Sequence, residues 1–323
     1  MRLPLPDSVR SKLRPTPQWL AISLPPAEQV VTLTLGISGL EFDVTHNIAV
    51  AALRPFTLRL GMDFAMAAAV RRTPQPSLRL IDAELQRTIG VMRLEHSRDW
   101  AAAGACIGLF TIREAQHRCT PRARRAWDTW MYARAVRNVP RESLLMLPDA
   151  VEQMLVFYLR PRPVCLVSVD DGEHSNIFPM DLIGPLPPDR FTLALRNTSP
   201  SVATIKAARR IAVADLPGTA CRIAYQLGAH HKRAQVDWDS LPFPTLRSRE
   251  FDLPVPAMAP RIREIEILAF QTIGSHTLFV GCVRSEIING ESTERLCHTS
   301  GAHQRLRIRC NRPFHEALTG EPH

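Results

Sequence analysis

A run of hydroxyl and amide side chains directly behind an arginine is the strongest chemical feature of the sequence. It consists of Arg196, Asn197, Thr198, Ser199 and Ser201. A phosphate dianion is held best where hydroxyl donors, a guanidinium and free backbone N–H groups occur together. Ser199 is a suitable N-cap and Pro200 suits a first helical turn, so a helix through Arg209 would direct its positive end at this point. The run predicts a phosphate site; the alternative is that Ser199 and Ser201 only cap the helix.

The composition favours anionic small ligands. The 323 residues include 40 Lys+Arg against 31 Asp+Glu, a formal charge of +9, and arginine far outnumbers lysine. Such a surface attracts phosphates and carboxylates. The sequence contains no zinc-finger spacing and no RNP-like motif, which argues against a nucleic-acid partner. The seven cysteines are scattered without a CxxC pair, so we expect neither a disulfide framework nor a zinc site.

The hydrophobic content and its distribution indicate a soluble two-domain protein. With 45% hydrophobic residues, a chain of this length can bury the cores of two domains. Its basic start lacks a continuous apolar segment, and no run approaches the ~20 apolar residues of a membrane span. We therefore expect a cytoplasmic protein that has no membrane partner.

Apolar periodicity predicts two β-rich parts joined by helices. Alternating residues predict strands over 19–22, 30–37, 49–60, 90–96 and 105–112, with a short helix over 62–70. Thr120 and Pro121, as N-cap and first helical residue, begin the clearest helix, and a second follows near 148–154. Strands return from Leu155, with helices over 201–210 and 221–231. The predicted domains are 1–118, a helical connector over 119–154, and 155–323.

Three segments of the second half resemble the flavin reductase-like family. They are RPVCLVSVDDGEHSNIFPMDLIGPL, FTLALRNTSPSVATIKAARRIAVADLP and HTLFVGCVRSE, which occur in this order over about 130 residues. The resemblance implies a mainly β fold with helices (α+β), an FMN-binding split β-barrel of Greek-key topology. It also implies FMN as cofactor and NAD(P)H as cosubstrate.

The resemblance implies roles for individual residues. The run from Arg196 to Ser201 corresponds to the family's phosphate motif, and Asn176 to a position facing the isoalloxazine ring. Asp181 would line the flavin edge or form a turn, and Lys232 would lie near the phosphate. His276 matches a histidine near flavin and nicotinamide; the alternative is a structural role.

The first half contains a degenerate echo of these segments. Asn47–Ile48 resembles Asn176–Ile177, and Phe56–Leu58 resembles Phe191–Leu193. Aligning Gly108 with Gly281 places Ala103 where His276 stands, and Leu60–Asp63 where the phosphate run should recur. Because an aspartate repels phosphate, this copy would form a degenerate barrel-like domain without its own flavin. Chance similarity between apolar strands is the alternative.

These patterns predict an NAD(P)H-dependent flavin reductase that transfers hydride from nicotinamide to flavin. Reduced flavin would pass to oxygen or to a monooxygenase partner. The chain would form either an intramolecular pseudo-dimer or a homodimer. The alternatives are a non-catalytic flavin-binding or scaffold protein, and a related split-barrel oxidase or haem-binding protein.

Overall fold

Strands form most of the regular secondary structure in the described part of the chain. The computed structural model describes residues 16, 19–25, 30–73, 75–141, 144, 146–148, 150–289 and 294–317. In Val31–Ile37 every second side chain is buried, which is the pattern of a strand with one face on a core. The predicted mainly β class with helices is confirmed.

The strands are numbered along the chain. They are β1 (Leu20–Leu24), β2 (Val31–Ile37), β3 (Leu40–Asp43), β4 (Ile48–Leu53), β5 (Phe56–Met62), β6 (Ser77–Asp82), β7 (Arg87–Ala102), β8 (Ala105–His117), β9 (Arg162–Pro163), β10 (Cys165–Asp170), β11 (Ser175–Met180), β12 (Ile183–Leu186), β13 (Arg190–Arg196), β14 (Arg210–Asp215), β15 (Thr245–Arg247), β16 (Pro254–Pro256), β17 (Arg261–Ile273), β18 (His276–Ile288), β19 (Arg295–Thr299) and β20 (His315–Glu316).

The α-helices are shorter and fewer. They are α1 (Phe64–Arg72), α2 (Arg122–Ala135), α3 (Val151–Phe157), α4 (Ser201–Ala208), α5 (Cys221–Gln226) and α6 (Gly301–Arg309), and short 3-10 turns follow α5. Thr120 does not cap α2, because Pro121 takes the N-cap position without a side-chain hydrogen bond. In the part of the chain that the structure describes, no helix has the length and apolar character to cross a membrane.

Two seven-stranded antiparallel sheets share one strand order. The first is β3-β2-β6-β7-β8-β5-β4, and the second is β11-β10-β14-β17-β18-β13-β12. Each strand of one sheet has a counterpart at the same place in the other. A helix, α1 or α4, follows the fourth strand in both, and a long hairpin ends both. We call β2–β8 the first unit and β10–β18 the second unit.

The sequence echo matches this topology only in part. Phe56–Leu58 and Phe191–Leu193 lie in the corresponding strands β5 and β13. Asn47 and Ile48 lead into β4, whereas Asn176–Ile177 lies in β11, whose counterpart is β3. The predicted match between Asn47–Ile48 and Asn176–Ile177 was therefore wrong. Short apolar segments recur in neighbouring strands and carry no information about strand order.

The predicted strand over residues 19–22 belongs to neither unit. It forms β1, which pairs with β19 and β20 of the chain's last segment in a four-stranded sheet, β20-β1-β19-β9. From the same last segment, His303 and Arg307 of α6 bind the buried Asp82 at the end of β6. The first strand and the last segment of the chain thus belong to the same sheet. Local periodicity cannot predict a pairing between such distant residues.

Strands β4 and β5 join the two units. Every residue of both strands is buried, including both faces, although an exposed sheet face would leave alternate residues in solvent. The second unit covers them, and one apolar cluster runs through both units. Arg59 of β5 is fully buried and donates to Thr192 Oγ1 at 2.9 Å and to the Pro185 carbonyl at 2.7 Å.

Each unit also places its last hairpin against a turn of the other. The Ser275 N–H donates to the Arg54 carbonyl at 2.8 Å. In the corresponding contact, Arg190 Nε donates to the Ala103 carbonyl at 2.9 Å. Gly274 has φ +52°, and a Cβ there would lie 2.2 Å from the Arg54 carbonyl oxygen. This turn therefore requires glycine both for its backbone conformation and for the approach of the first unit.

Replacing Gly274 with alanine tests how firmly the units are joined. Gly104, in the matching hairpin, also has a positive φ (+79°), but a Cβ added there would meet no atom within 4 Å. Both substitutions strain the backbone, and only Gly274→Ala also forces the units apart. We expect Gly274→Ala to lower the free energy of unfolding by about 2 kcal/mol more than Gly104→Ala in denaturant titrations. Equal losses would contradict the junction.

Candidate functional site

Strand pairing brings the predicted arginine and histidine together. Arg196, the last residue of β13, pairs with His276, the first residue of β18. Behind them the chain is tied to the β17–β18 turn, where Asn197 Nδ2 donates to the Gly274 carbonyl at 3.0 Å and Thr277 Oγ1 donates to Asn197 Oδ1 at 2.9 Å. The start of the predicted phosphate run is therefore held in one place.

Ser199 does not cap the following helix, contrary to the sequence prediction. Helix α4 begins at Ser201, Pro200 occupies the N-cap position, and no side chain caps it. Ser199 is buried, and its Oγ has no hydrogen-bond partner in the described structure. Its neighbour Thr198 is exposed. A buried hydroxyl without a partner is costly unless a ligand or water satisfies it.

Asn176 and Ser201 form a buried pair beneath this point. Asn176 Nδ2 lies 2.9 Å from Ser201 Oγ and 3.0 and 2.8 Å from the carbonyl oxygens of His230 and Arg233. The asparagine is fully buried, and its Oδ1 lacks a partner in the described structure. The amide nitrogen and the Ser201 hydroxyl therefore fix the start of α4 from inside the protein.

His276 is a neutral imidazole with a defined tautomer. Its Nδ1 lies 2.8 Å from Ser275 Oγ and 3.4 Å from the backbone nitrogen of Leu53. Since a backbone N–H can only donate, Nδ1 accepts and Nε2 carries the proton. Burial, with the positive charges of Arg196 and Arg54, lowers the pKa of His276 to about 4. At neutral pH this side chain can donate one hydrogen bond but holds no extra proton.

The first unit contributes Arg54, which the sequence analysis missed. Its backbone N–H donates to Ser275 Oγ at 3.1 Å, next to the pair of Arg196 and His276, and its charge lowers the pKa of Arg196 after the larger effect of burial. The connector partly covers both, since Arg54 Nη1 donates to the Arg141 carbonyl at 2.6 Å and Arg196 Nη2 to the Leu144 carbonyl at 3.4 Å. Two neighbouring guanidinium groups favour an anion. No local pattern marks Arg54, because it acts across the two units.

Asp181 is held by other groups of the protein. Its Oδ2 accepts from the Tyr158 hydroxyl at 2.9 Å and lies 3.0 Å from His298 Nδ1. Burial alone would raise the pKa of Asp181, but the His298 hydrogen bond, with the charges of His298 and Arg162, lowers it. The carboxylate is thus ionised and already has two partners. Its role at the flavin edge stays a prediction.

Lys232 lies exposed in the 3-10 turn Leu227–Lys232. Its neighbour His231 points inward, with Nε2 2.7 Å from the Pro179 carbonyl and its ring 5.1 Å from that of Phe178. Burial lowers the pKa of His231, and Asp181 and Arg196 both act on it. The inward-facing residue of this turn is therefore His231, and the exposed position of Lys232 gives no support for a phosphate contact.

The corresponding point of the first unit has the opposite charge. Asp63 is the N-cap of α1, and its Oδ1 accepts from the Met66 N–H at 2.7 Å. An anion at this helix start would meet a carboxylate. Ala105, the first residue of β8, occupies the place of His276, so the sequence alignment with Ala103 was shifted by two residues.

Comparisons with known proteins give structural similarity to flavin-binding proteins. No protein-family model and no curated protein matches the chain. Among solved structures, the chain is similar to the NADH:FAD oxidoreductase SgcE6 of Streptomyces globisporus C-1027, with 22% identity over 50% of this chain and 95% of that one, at a TM-score of 0.43.

Two further solved structures are similar to the chain. One is the FMN-binding protein of Thermus thermophilus with bound 1-cyclohex-2-enone, with 26% identity over 41% of this chain and 74% of that one, at a TM-score of 0.37. The other is BorF, the flavin reductase component of a bacterial two-component tryptophan halogenase, with 16% identity over 47% and 95%, at a TM-score of 0.42. In the residues that the structure describes, no cluster of side chains suited to a metal ion occurs.

The buried imidazole makes stability depend on pH. An unfolded chain binds a proton at His276 below about pH 6.5, whereas the folded protein does so only near pH 4. The free energy of unfolding should therefore fall as the pH falls from about 6.5 to 4, by roughly 3 kcal/mol for this residue. His276→Asn should reduce that loss in denaturant titrations at several pH values.

His117 is a matched control for this titration. Burial and Arg125 lower its pKa to about 4 as well, but it lies at the end of β8, in the first unit. His117→Asn should reduce the acid loss to a similar extent. An undiminished acid loss in His276→Asn would show that the histidine is not held neutral.

Proposed function

We propose that this protein binds FMN through the segment from Arg196 to Ser201 and transfers hydride to it from NAD(P)H. The observation that carries the proposal is the buried, unpartnered Oγ of Ser199 in the described structure, three residues after a guanidinium. Thr198 and Asn197 beside it are exposed and can donate to the same anion. This donor set suits a phosphate monoester.

Different residues of the site would bind the phosphate and orient the reacting rings. Arg196 and Ser199 would hold the phosphate, and Asn176 fixes the backbone that carries them through its bond to Ser201. Bound FMN supplies the hydride acceptor. His276, neutral and with its proton on Nε2, would donate a hydrogen bond that orients the nicotinamide or the flavin rather than transfer a proton. The chain's contribution is orientation and the exclusion of water.

One flavin per chain follows from the difference between the units. The second unit has arginine and hydroxyl groups at the start of α4, whereas the first unit has Asp63 at the start of α1. The first unit instead places Leu53 and Arg54 against the site, as the second subunit of a split-barrel dimer would. In this proposal the chain is an intramolecular pseudo-dimer. Reduced flavin would pass to oxygen or to a monooxygenase.

A non-catalytic flavin-binding protein is the second candidate. The connector carbonyls of Arg141 and Leu144 accept from Arg54 and Arg196, so this segment covers part of the site and would restrict access to it. Purified protein with FMN and NADH or NADPH separates the two candidates. Steady oxidation of the dinucleotide supports the reductase, and bound flavin without oxidation supports the second candidate.

Replacing Ser199 with alanine tests the phosphate site. The substitution removes a hydroxyl that has no partner in the described structure, so stability should be unchanged or higher. FMN should bind about tenfold more weakly, because one hydrogen bond to a charged phosphate is lost. Riboflavin, which lacks the phosphate, should bind equally to both proteins in fluorescence titrations.

Ser201→Ala is the matched control for this test. It removes one of the three acceptors around the buried Asn176 amide and should lower the free energy of unfolding by about 1 kcal/mol. An FMN affinity that Ser199→Ala leaves unchanged would contradict the phosphate assignment.

Replacing His276 with asparagine tests the nicotinamide side. The variant should keep its FMN affinity, because the imidazole is assigned away from the phosphate, and should oxidise NAD(P)H at least about tenfold more slowly. Activity should not titrate with this residue between about pH 5.5 and 8, since its pKa lies near 4. Unchanged turnover would make the histidine structural.

A further inference from the structure

A second cationic region lies at the other end of the second sheet. A cavity of about 730 Å³ is lined by both units and by the linker Arg160–Pro163. It contacts Arg190 and Phe191 at the start of β13, whereas Arg196 ends that strand. Six residues of extended chain separate the two places by about 20 Å. None of the residues predicted to bind flavin lines the cavity.

The lining carries more positive than negative side chains. Its acidic residues are Asp189, Asp215 and Glu286; its basic residues are Arg160, Arg162, Arg190, Arg261, Arg263, Arg295 and His46. The acidic residues are already neutralised. Asp215 pairs with Arg263 and Arg295, Glu286 pairs with Arg261 and Arg263, and Asp189 pairs with Arg190.

Two of the lining arginines have no carboxylate within 4 Å among the described residues. Arg162 donates to the carbonyl of Asp181 at 2.6 and 3.0 Å and lies over the Phe157 ring at 5.1 Å. Arg160 lies two residues before Arg162. It makes no hydrogen bond or ion pair with any residue that the structure describes. Neither guanidinium therefore forms an ion pair with a described carboxylate, although Asp43 acts on Arg160 and Asp181 on Arg162 from beyond 4 Å.

A third guanidinium lies directly behind the wall. Arg59 donates to the carbonyl of Pro185, a lining residue, and its other bonds also go to uncharged oxygens. Burial and the charges of Arg162 and Arg160 lower the pKa of Arg59 to about 9. Burial and Arg162 likewise lower the pKa of Arg160 to about 10. These positive charges repel one another, and an anion between them would relieve the repulsion.

We propose that this cavity binds a small organic anion with a phosphate or carboxylate group, which Arg160 and Arg162 hold at a site separate from the flavin. Its volume lies within the roughly 300–1,000 Å³ that is usual for small-molecule sites. Ile48, Phe191 and Val283 give the cavity apolar wall for the remainder of the molecule. The proposal does not depend on flavin binding.

Calorimetric titration with pyrophosphate and with citrate tests the proposal. Both probes are added at constant ionic strength set with sodium chloride, so that nonspecific screening stays fixed. With FMN present to fill the proposed flavin site, we expect saturable binding of one probe per chain, and the probe that binds more tightly identifies the phosphate or carboxylate class. Absence of saturable binding by both probes would overturn the proposal.

Substitutions at Arg160 locate the binding. Arg160→Gln should weaken the bound probe about tenfold, and Arg160→Lys, which keeps the charge, should weaken it less. Arg98→Gln removes the same charge from an exposed position on β7 and should leave the affinity within about twofold. Equal affinities in Arg160→Gln and Arg98→Gln would overturn the assignment even if the wild-type protein binds the probe.

FMN titration separates this site from the flavin site. Arg160→Gln should leave FMN affinity unchanged, whereas Ser199→Ala should leave the affinity for pyrophosphate and citrate unchanged. Parallel loss of FMN and probe binding in Arg160→Gln would show that the cavity holds the flavin phosphate, and would overturn the claim of a separate site.

Discussion

The burial of β4 and β5 on both faces is the constraint on which the rest of the structure depends. A sheet with only one covered face leaves alternate side chains in solvent, yet in these strands every residue is buried. The first unit cannot cover both faces of β4 and β5 by itself, so it requires the second unit. Arg59 makes this packing specific, because two of its hydrogen bonds reach β12 and β13 only at the observed alignment with β5. A shifted alignment would leave this buried guanidinium with only its bond to the Asn47 carbonyl of its own unit.

This packing determines the composition of the candidate site. The contact between Arg54 and Ser275 exists only because the β4–β5 turn meets the β17–β18 turn. It brings a second guanidinium to His276 and supplies the backbone N–H that fixes the imidazole tautomer. The first unit is therefore part of the site even though Asp63 stands at the start of its own helix. The two helix starts differ in charge, since Asp63 caps α1 whereas uncharged Pro200 takes the N-cap position of α4.

Features encoded locally could be predicted from the sequence, and features created by distant pairing could not. The helix after Arg196 was predicted to within two residues, because Pro200 marks its start locally. Ser199 was wrongly predicted as the cap, since a proline directly behind it took the N-cap position. The pairing of β1 with β19 spans almost the whole chain and leaves no trace in periodicity. Arg54 belongs to the same class, because only the fold shows which turn it meets.

The distance between the two cationic regions, at Arg196 and at Arg160, limits how strongly an anion bound at one can affect binding at the other. At about 20 Å and an effective dielectric constant near 20, two unit charges interact by less than about 1 kcal/mol, and salt reduces this further. Direct electrostatic coupling between an anion at Arg196 and one at Arg160 is therefore weak. The strand that connects the regions, β13, is buried and packed against β4 of the first unit. Any strong coupling between the two sites must therefore act through a shift of this packed layer.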